Sequence, residues 1–189
     1  MMGSSQHGQM SSIGYDLYCR MLEDTIKLIK GEIEKEPVET TVELKIDAFI
    51  PESYIEDEVQ KIEIYKKIAS ISCYEDMMDI IEELEDRFSD IPPSVYNLMN
   101  IAYIRSLGKE LGVEEIKDAD SEILIKLEGK ARIDEKIITG LLKTYSKHIF
   151  FKMGEKPVIA CKLANIKREN LLPFLKELFE FMNEMKNSD

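Results

Sequence analysis

The residues best suited to chemistry form an acidic row on one predicted helix. Four carboxylates recur there at spacings of three and four, which places them on one helix face: Glu75, Asp79, Glu82 and Asp86. Glu83 and Arg87 lie four apart, in the acid-first order that favours an ion pair along a helix. Such a row can bind a basic partner through releasable ion pairs, or it can simply face water. The residues alone leave both interpretations open.

Signals for catalysis are weak elsewhere in the chain. His7 and His148 have no cysteine or carboxylate ligands near them at metal-binding spacing, and the glycines form no phosphate-binding loop. Because carboxylates are abundant, a small cytoplasmic hydrolase that uses a carboxylate pair remains an alternative, although no particular pair stands out. We therefore expect no catalytic residue, no metal site and no cofactor in this chain.

The composition is that of an ordinary globular protein. Of its 189 residues, 44% are hydrophobic and 33% are charged, and the formal net charge is −12. This charge argues against strong binding of nucleic acid or anionic membrane, because both are bound mainly through Lys and Arg. The cysteines Cys19, Cys73 and Cys161 are far apart within apolar patterns, which indicates free thiols in a reducing compartment. With no membrane-spanning run and no signal peptide, the sequence predicts a cytoplasmic location.

Three successive helical patterns between Glu56 and Arg105 contain the acidic row. The first is expected to pack through a stripe of four residues: Val59, Ile62, Tyr65 and Ala69. The second is expected to start at a capping box of Ser72 and Glu75. It should bury the face opposite the acids, which carries Met77, Ile81, Leu84 and Phe88. The third, Val95 to Leu111, is apolar on most sides and should be buried.

The flanking segments predict strands as well as helices. Alternating apolar and polar residues from Val38 to Ala48 predict a half-buried strand. Further on, the patterns predict a strand at Ile123 to Leu127, a helix at Ile133 to Tyr145, two strands at His148 to Met153 and Val158 to Leu163, and a last helix with Pro173 in its first turn. The predicted fold is α+β: a small, mostly antiparallel sheet of about four strands packed with a helical cluster. An N-terminal helical arm, with its helix at Tyr15 to Lys30, precedes it.

Several segments occur together in a recognisable order. They are QHGQMSSIGYDLY at 6–18, YKKIA at 65–69, LEDRF at 84–88 followed by Ile91-Pro92, NIAYIR at 100–105, and Leu111-Gly112. Their order and spacing resemble the C-terminal region of the bacterial transcription-repair coupling factors, the Mfd family. The resemblance covers essentially the whole chain and is strongest from Ile13 to Gly112. Ser89 departs from it, because the family usually has Gly at this position.

The resemblance implies a division of the chain and a parent protein. Residues 1–36 would be the end of a translocation motif plus a linker helix, with Gln6, His7, Gly8 and Gly14 in the arm that couples to the motor. Residues 37–189 would be a regulatory C-terminal domain. The parent would be an ATP-dependent DNA translocase that removes stalled RNA polymerase from lesions and recruits excision repair through UvrA. Its ATP and magnesium would belong to a motor that this chain lacks.

The resemblance also implies a partner for the acidic row. The family's C-terminal domain packs on a UvrB-like N-terminal module of the same protein and hides its UvrA-binding surface until RNA polymerase is engaged. Glu83, Asp86 and Arg87 match residues that the family places at this interface, facing arginines, and Asp79 lies one turn earlier in the row. The expected function is therefore autoinhibition by a domain that is not itself an enzyme.

Overall fold

The computed structural model describes residues 39–129, 133–152 and 154–188. In these residues, five α-helices accompany five β-strands, which confirms the α+β class. The helices are α1 (Glu58–Ala69), α2 (Tyr74–Phe88), α3 (Pro93–Leu111), α4 (Glu135–Tyr145) and α5 (Leu171–Asn187). The strands are β1 (Thr41–Glu43), β2 (Val113–Asp118), β3 (Glu122–Leu127), β4 (Ile149–Lys152) and β5 (Val158–Lys162). The predicted N-terminal arm lies outside the described residues.

The strands form one sheet in the order β1-β2-β3-β5-β4. Strand β1 pairs in parallel with β2, and the other three pairings are antiparallel. The prediction of a mostly antiparallel sheet is thereby confirmed. The sheet has five strands rather than about four, because the segment Val113–Asp118 also forms a strand that the sequence patterns did not predict.

The described residues divide into two compact units, and the division falls inside α3, between Tyr103 and Ile104. The unit that contains the sheet, called here the sheet unit, comprises residues 39–45 and 104–188. Its fully buried side chains come from the strands, the last part of α3 and the two last helices, and include Ile116, Ile125, Ile159, Leu141 and Phe179. Within it, the Thr40 hydroxyl donates to the Val113 carbonyl at 2.7 Å, which ties β1 to the start of β2.

The other unit, Ile46–Tyr103, is called here the helical unit and carries the acidic row. It contains α1, α2 and the first part of α3, and its fully buried side chains include Ile64, Ile68, Leu84, Val95 and Met99. The Tyr65 hydroxyl accepts a hydrogen bond from the Ile50 backbone N–H at 2.9 Å. This bond fixes α1 against the extended segment that precedes it.

Two predictions in this region were wrong in detail. Helix α1 buries Ile64 and Ile68, whereas Val59 and Ile62 of the predicted stripe are 74% and 43% exposed. Apolar residues lie on more than one side of α1, so the packing of its neighbours, and not its own pattern, selects the buried side. The strand predicted from Val38 to Ala48 is hydrogen-bonded as a strand only over Thr41–Glu43.

Candidate interaction surface

Helix α2 presents the acidic row, and a carboxylate fixes its N-terminus. The Asp76 side chain accepts hydrogen bonds from the Ser72 hydroxyl at 2.6 Å, the Ser72 N–H at 2.8 Å and the Cys73 N–H at 3.2 Å. These hydrogen bonds, those from Ser72 above all, lower the pKa of Asp76. The capping carboxylate is therefore Asp76 and not the predicted Glu75, because the helix begins one residue later than expected.

The two faces of α2 differ as expected, but the buried face includes a residue that was not predicted. Met77, Ile80 and Leu84 are buried on one side, whereas Ile81 and Phe88 of the predicted face are only half-buried. The four carboxylates of the acidic row, Glu75, Asp79, Glu82 and Asp86, are all exposed on the other. The buried side anchors the helix by removing apolar area from water, so the charged side is held on a fixed frame.

An ion cluster joins the C-terminal half of α2 to α1. Lys67 of α1 donates to both carboxylate oxygens of Glu83, at 2.6 and 2.7 Å, and Arg87 Nη1 donates to Glu83 Oε1 at 2.5 Å. The three side chains, called here the Lys67–Glu83–Arg87 cluster, are 38%, 28% and 35% exposed. The hydrogen bond from Lys67 lowers the pKa of Glu83 most, and Arg87 lowers it further against the opposing effect of burial.

Arg87 is held from a second side as well. Its guanidinium carbon lies 4.9 Å from the centre of the Phe88 ring, within the range of a cation–π contact. The Phe88 ring in turn lies 5.8 Å from the ring of Tyr54. Arg87 is therefore a partly exposed cation with a restricted direction, next to an exposed acidic row.

The turn that follows α2 has an unusual backbone. Ser89 has φ 74° and ψ −152°, a region that glycine occupies easily and that other residues rarely adopt. This is the position at which the sequence departs from the glycine usual in the resembling family. The Tyr54 hydroxyl lies 3.4 Å from the carbonyls of both Leu84 and Ser89, so the end of α2 is also bound to the segment before α1.

The structure brings together some of the predicted partner-binding residues. Glu83 and Arg87 are in direct contact, and Asp86 and Asp79 lie on the adjacent exposed face. Sequence reasoning did not select Lys67, because it lies on another helix and only the fold shows its contact with Glu83. The predicted motor-coupling residues of the arm, Gln6, His7, Gly8 and Gly14, lie outside the described residues.

The described residues offer little for catalysis. No group of three or more His, Cys, Asp or Glu side chains among them could hold a metal ion. In the part of the chain that the structure describes, the carboxyl groups with a displaced pKa are Asp76, Glu83 and Asp118, and their pKa is lowered, whereas a general acid needs a raised one. Burial raises the pKa of the Cys161 thiol to about 12, so it is not a ready nucleophile. Among the described helices, none has the length and apolar character needed to cross a membrane.

Comparison with known proteins places this fold in a family. The profile of the TRCF domain family matches residues 44–138, which include α1, α2 and the Lys67–Glu83–Arg87 cluster. The chain belongs to the TRCF domain family. The solved structure titled "Crystal structure of C-terminal domain of transcription-repair coupling factor" is similar to it, with a TM-score of 0.71 and 28% identity over 80% of this chain and 96% of that one.

Two proteins much longer than this chain, both named transcription-repair-coupling factor, are similar to it in sequence. The transcription-repair-coupling factor of Staphylococcus haemolyticus is 41% identical over 133 residues, or 69% of this chain, and that of Bacillus subtilis is 36% identical over 159 residues, or 82% of it. The matched parts are 11% and 14% of the lengths of these two relatives. The family resemblance stated from the sequence is thereby confirmed.

Proposed function

We propose that this chain is the autoinhibitory domain of a transcription-repair coupling factor. It packs through α2 on a UvrB-like N-terminal module of the same protein, masks the UvrA-binding surface there, and restrains the motor until stalled RNA polymerase is engaged. The observation that carries the proposal is the exposed acidic row beside the Lys67–Glu83–Arg87 cluster on a firmly anchored helix.

The chemistry of this surface suits a contact that must later open. Carboxylates that face arginines form oriented, charge-assisted hydrogen bonds. At a surface, each such pair contributes only about 0.2–1 kcal/mol, so a few of them hold a domain without locking it. Met77, Ile80 and Leu84 of α2 are buried in the core of its own unit, so opening the contact does not expose these three side chains to water, whereas Met78 is 42% exposed in any case.

The proposal assigns the remaining activities to other parts of the parent protein. The chain itself acts as a non-catalytic regulator, and ATP and magnesium serve a motor elsewhere in the parent. With a net charge of −12, it is suited to act as a cover that does not itself hold DNA or an anionic membrane. UvrA and RNA polymerase are then indirect partners, which the domain affects through the N-terminal module, in the cytoplasm.

The test is a double substitution, Glu83→Ala with Asp86→Ala, in the full-length coupling factor. Loss of two surface pairs should raise UvrA affinity about twofold to thirtyfold and raise basal ATPase activity, because each pair is worth about 0.2–1 kcal/mol. The matched control is Glu52→Ala with Glu56→Ala, which removes two exposed acids of the same unit that precede α1 and do not belong to α2. It should leave both readouts unchanged.

A folded double variant with unchanged UvrA binding would contradict the proposal. So would a control that raises UvrA binding as much as the Glu83 and Asp86 variant does. That result would mean that total charge, and not the surface of α2, sets the restraint.

A further inference from the structure

We propose that Lys67 is an internal competitor for the carboxylate of Glu83. It occupies the acceptor sites that a partner arginine needs, and so keeps the contact of α2 with its partner weak enough to open. The inference rests on the proposed function, since it assumes that α2 faces a basic partner. It adds a residue on a different helix and a means by which the contact is kept reversible.

The first step is the occupancy of Glu83. A carboxylate offers about four lone-pair sites to donors. Lys67 bonds to both oxygens, at 2.6 and 2.7 Å, and Arg87 bonds to Oε1 at 2.5 Å. These bonds leave room for one more donor, at Oε2. A partner arginine can therefore add a single hydrogen bond, but the stronger two-pronged arrangement requires that Lys67 leave.

The second step is charge. Taken by itself, the Lys67–Glu83–Arg87 cluster contains two cations and one anion, so its own charge offsets part of the attraction that the neighbouring acidic row has for an approaching arginine. Removal of the Lys67 charge changes this balance and opens Glu83 at the same time. Both effects favour a basic partner, and the cost of losing one partly exposed ion pair inside the domain is small.

The third step is where Lys67 goes when it is displaced. Its Nζ also lies 4.0 Å from Glu63 Oε1, one turn earlier on α1, and the Glu63 side chain is 52% exposed. The ammonium can move toward Glu63 without losing an acidic neighbour. Displacement from Glu83 thus exchanges one carboxylate for another, which reduces the free energy needed to release Glu83 to a partner.

The experiment measures binding of the 189-residue chain to the purified UvrB-like N-terminal module of the same coupling factor, by titration calorimetry at low and moderate salt. Lys67→Met, which keeps an unbranched side chain one atom shorter and removes its charge, should tighten binding about threefold to tenfold. Lys67→Arg should stay near the wild-type affinity, because a guanidinium still occupies Glu83. Lys67→Gln retains a neutral donor and should fall between them, which provides a second test if Lys67→Met folds poorly.

Two controls separate the competition from total charge. Lys61→Met removes the same charge from α1, where Lys61 pairs with Glu58 at 3.0 Å, and it should change affinity by less than about twofold. In a Glu83→Gln background, Lys67→Met should tighten binding no more than Lys61→Met does, because the competed carboxylate is gone and only the change in total charge remains.

The possible results are distinct. Equal or weaker binding by folded Lys67→Met overturns this inference, as does equal tightening by Lys61→Met, while the proposed function stands. If the wild-type chain fails to bind the N-terminal module, and the Glu83 and Asp86 double substitution leaves UvrA binding unchanged, the proposed function and this inference both fall.

Discussion

Replacing Ser89 by glycine should stabilise the helical unit. Ser89 has φ 74° and ψ −152°, where a side chain costs about 1–3 kcal/mol in a residue other than glycine. Glycine loses more chain entropy on folding, which offsets about 0.5–1 kcal/mol of this gain. The net gain in the free energy of unfolding should be about 0.5–2 kcal/mol.

Ser89→Gly should remove no other interaction at this position. The Ser89 side chain is exposed and forms no hydrogen bond with the described residues. The bonds that the residue does make are backbone bonds that glycine keeps: its N–H donates to the Glu85 carbonyl at 3.3 Å, and its carbonyl accepts from Tyr54 at 3.4 Å. The gain should therefore reflect the backbone alone.

Equilibrium unfolding in urea, followed by circular dichroism, measures the effect. Ser89→Gly should raise the midpoint without changing the m-value, and should raise the melting temperature by about 1–8 °C. Ser89→Ala is the matched control and should stay within about 0.5 kcal/mol of the wild type, because its Cβ atom keeps the strain. Ser70→Gly should destabilise the chain, because Ser70 follows α1 in an ordinary right-handed conformation and its hydroxyl donates to the Lys67 carbonyl at 2.7 Å. A neutral or destabilising Ser89→Gly, or an equally stabilising Ser89→Ala, would refute the strain argument.

Two further predictions concern the sheet unit. The Asp118 side chain is 1% exposed; its burial favours the neutral form, but hydrogen bonds and charge from Arg168 outweigh burial and lower its pKa from 3.8. Its contribution to stability is then present above about pH 4 and is lost as the pH falls further. Asp118→Asn should therefore flatten the dependence of the free energy of unfolding on pH below about pH 4, and an unchanged slope would contradict this. Cys161 is fully buried, and burial raises its pKa to about 12. Iodoacetamide at neutral pH should therefore alkylate Cys161 only after urea unfolds the chain, as measured by mass spectrometry. Rapid alkylation of Cys161 in the native state would contradict its burial.

The sequence was most informative where the contrast between two faces is strong. The acidic and apolar sides of α2 could be predicted because their spacing follows the helical period over about three turns. The sequence pattern did not predict strand β2, because the strand is irregular. Its pairing with β3 shifts between Val113 and Glu115, so the buried Val113 and Ile116 lie three apart and the alternation of a regular strand is lost.

Only some of the contacts in the candidate interaction surface could be predicted from the sequence. The spacing of Glu83 and Arg87 predicts their ion pair, because both lie on one helix. The contact of Glu83 with Lys67 joins residues 16 positions apart on two helices and depends on how α1 packs. That packing was the part predicted incorrectly, since the pattern favoured the side of α1 with Val59 rather than the side with Ile64.

The position of Lys67 also bears on how the proposed contact could evolve or be adjusted. Glu83 and Arg87 lie on the surface that would meet the partner, so a substitution there changes partner contacts directly. Lys67 lies on α1 and acts only through Glu83, so changing it alters the strength of the contact while Asp79 and Asp86 stay available to the partner. The strength of the contact between α2 and its partner can thus change without a change in which partner α2 recognises. The salt dependence of binding should reveal this separation, because Lys67→Met adds one opposed pair of charges across the interface and should steepen the loss of affinity with salt, whereas Lys67→Arg should not.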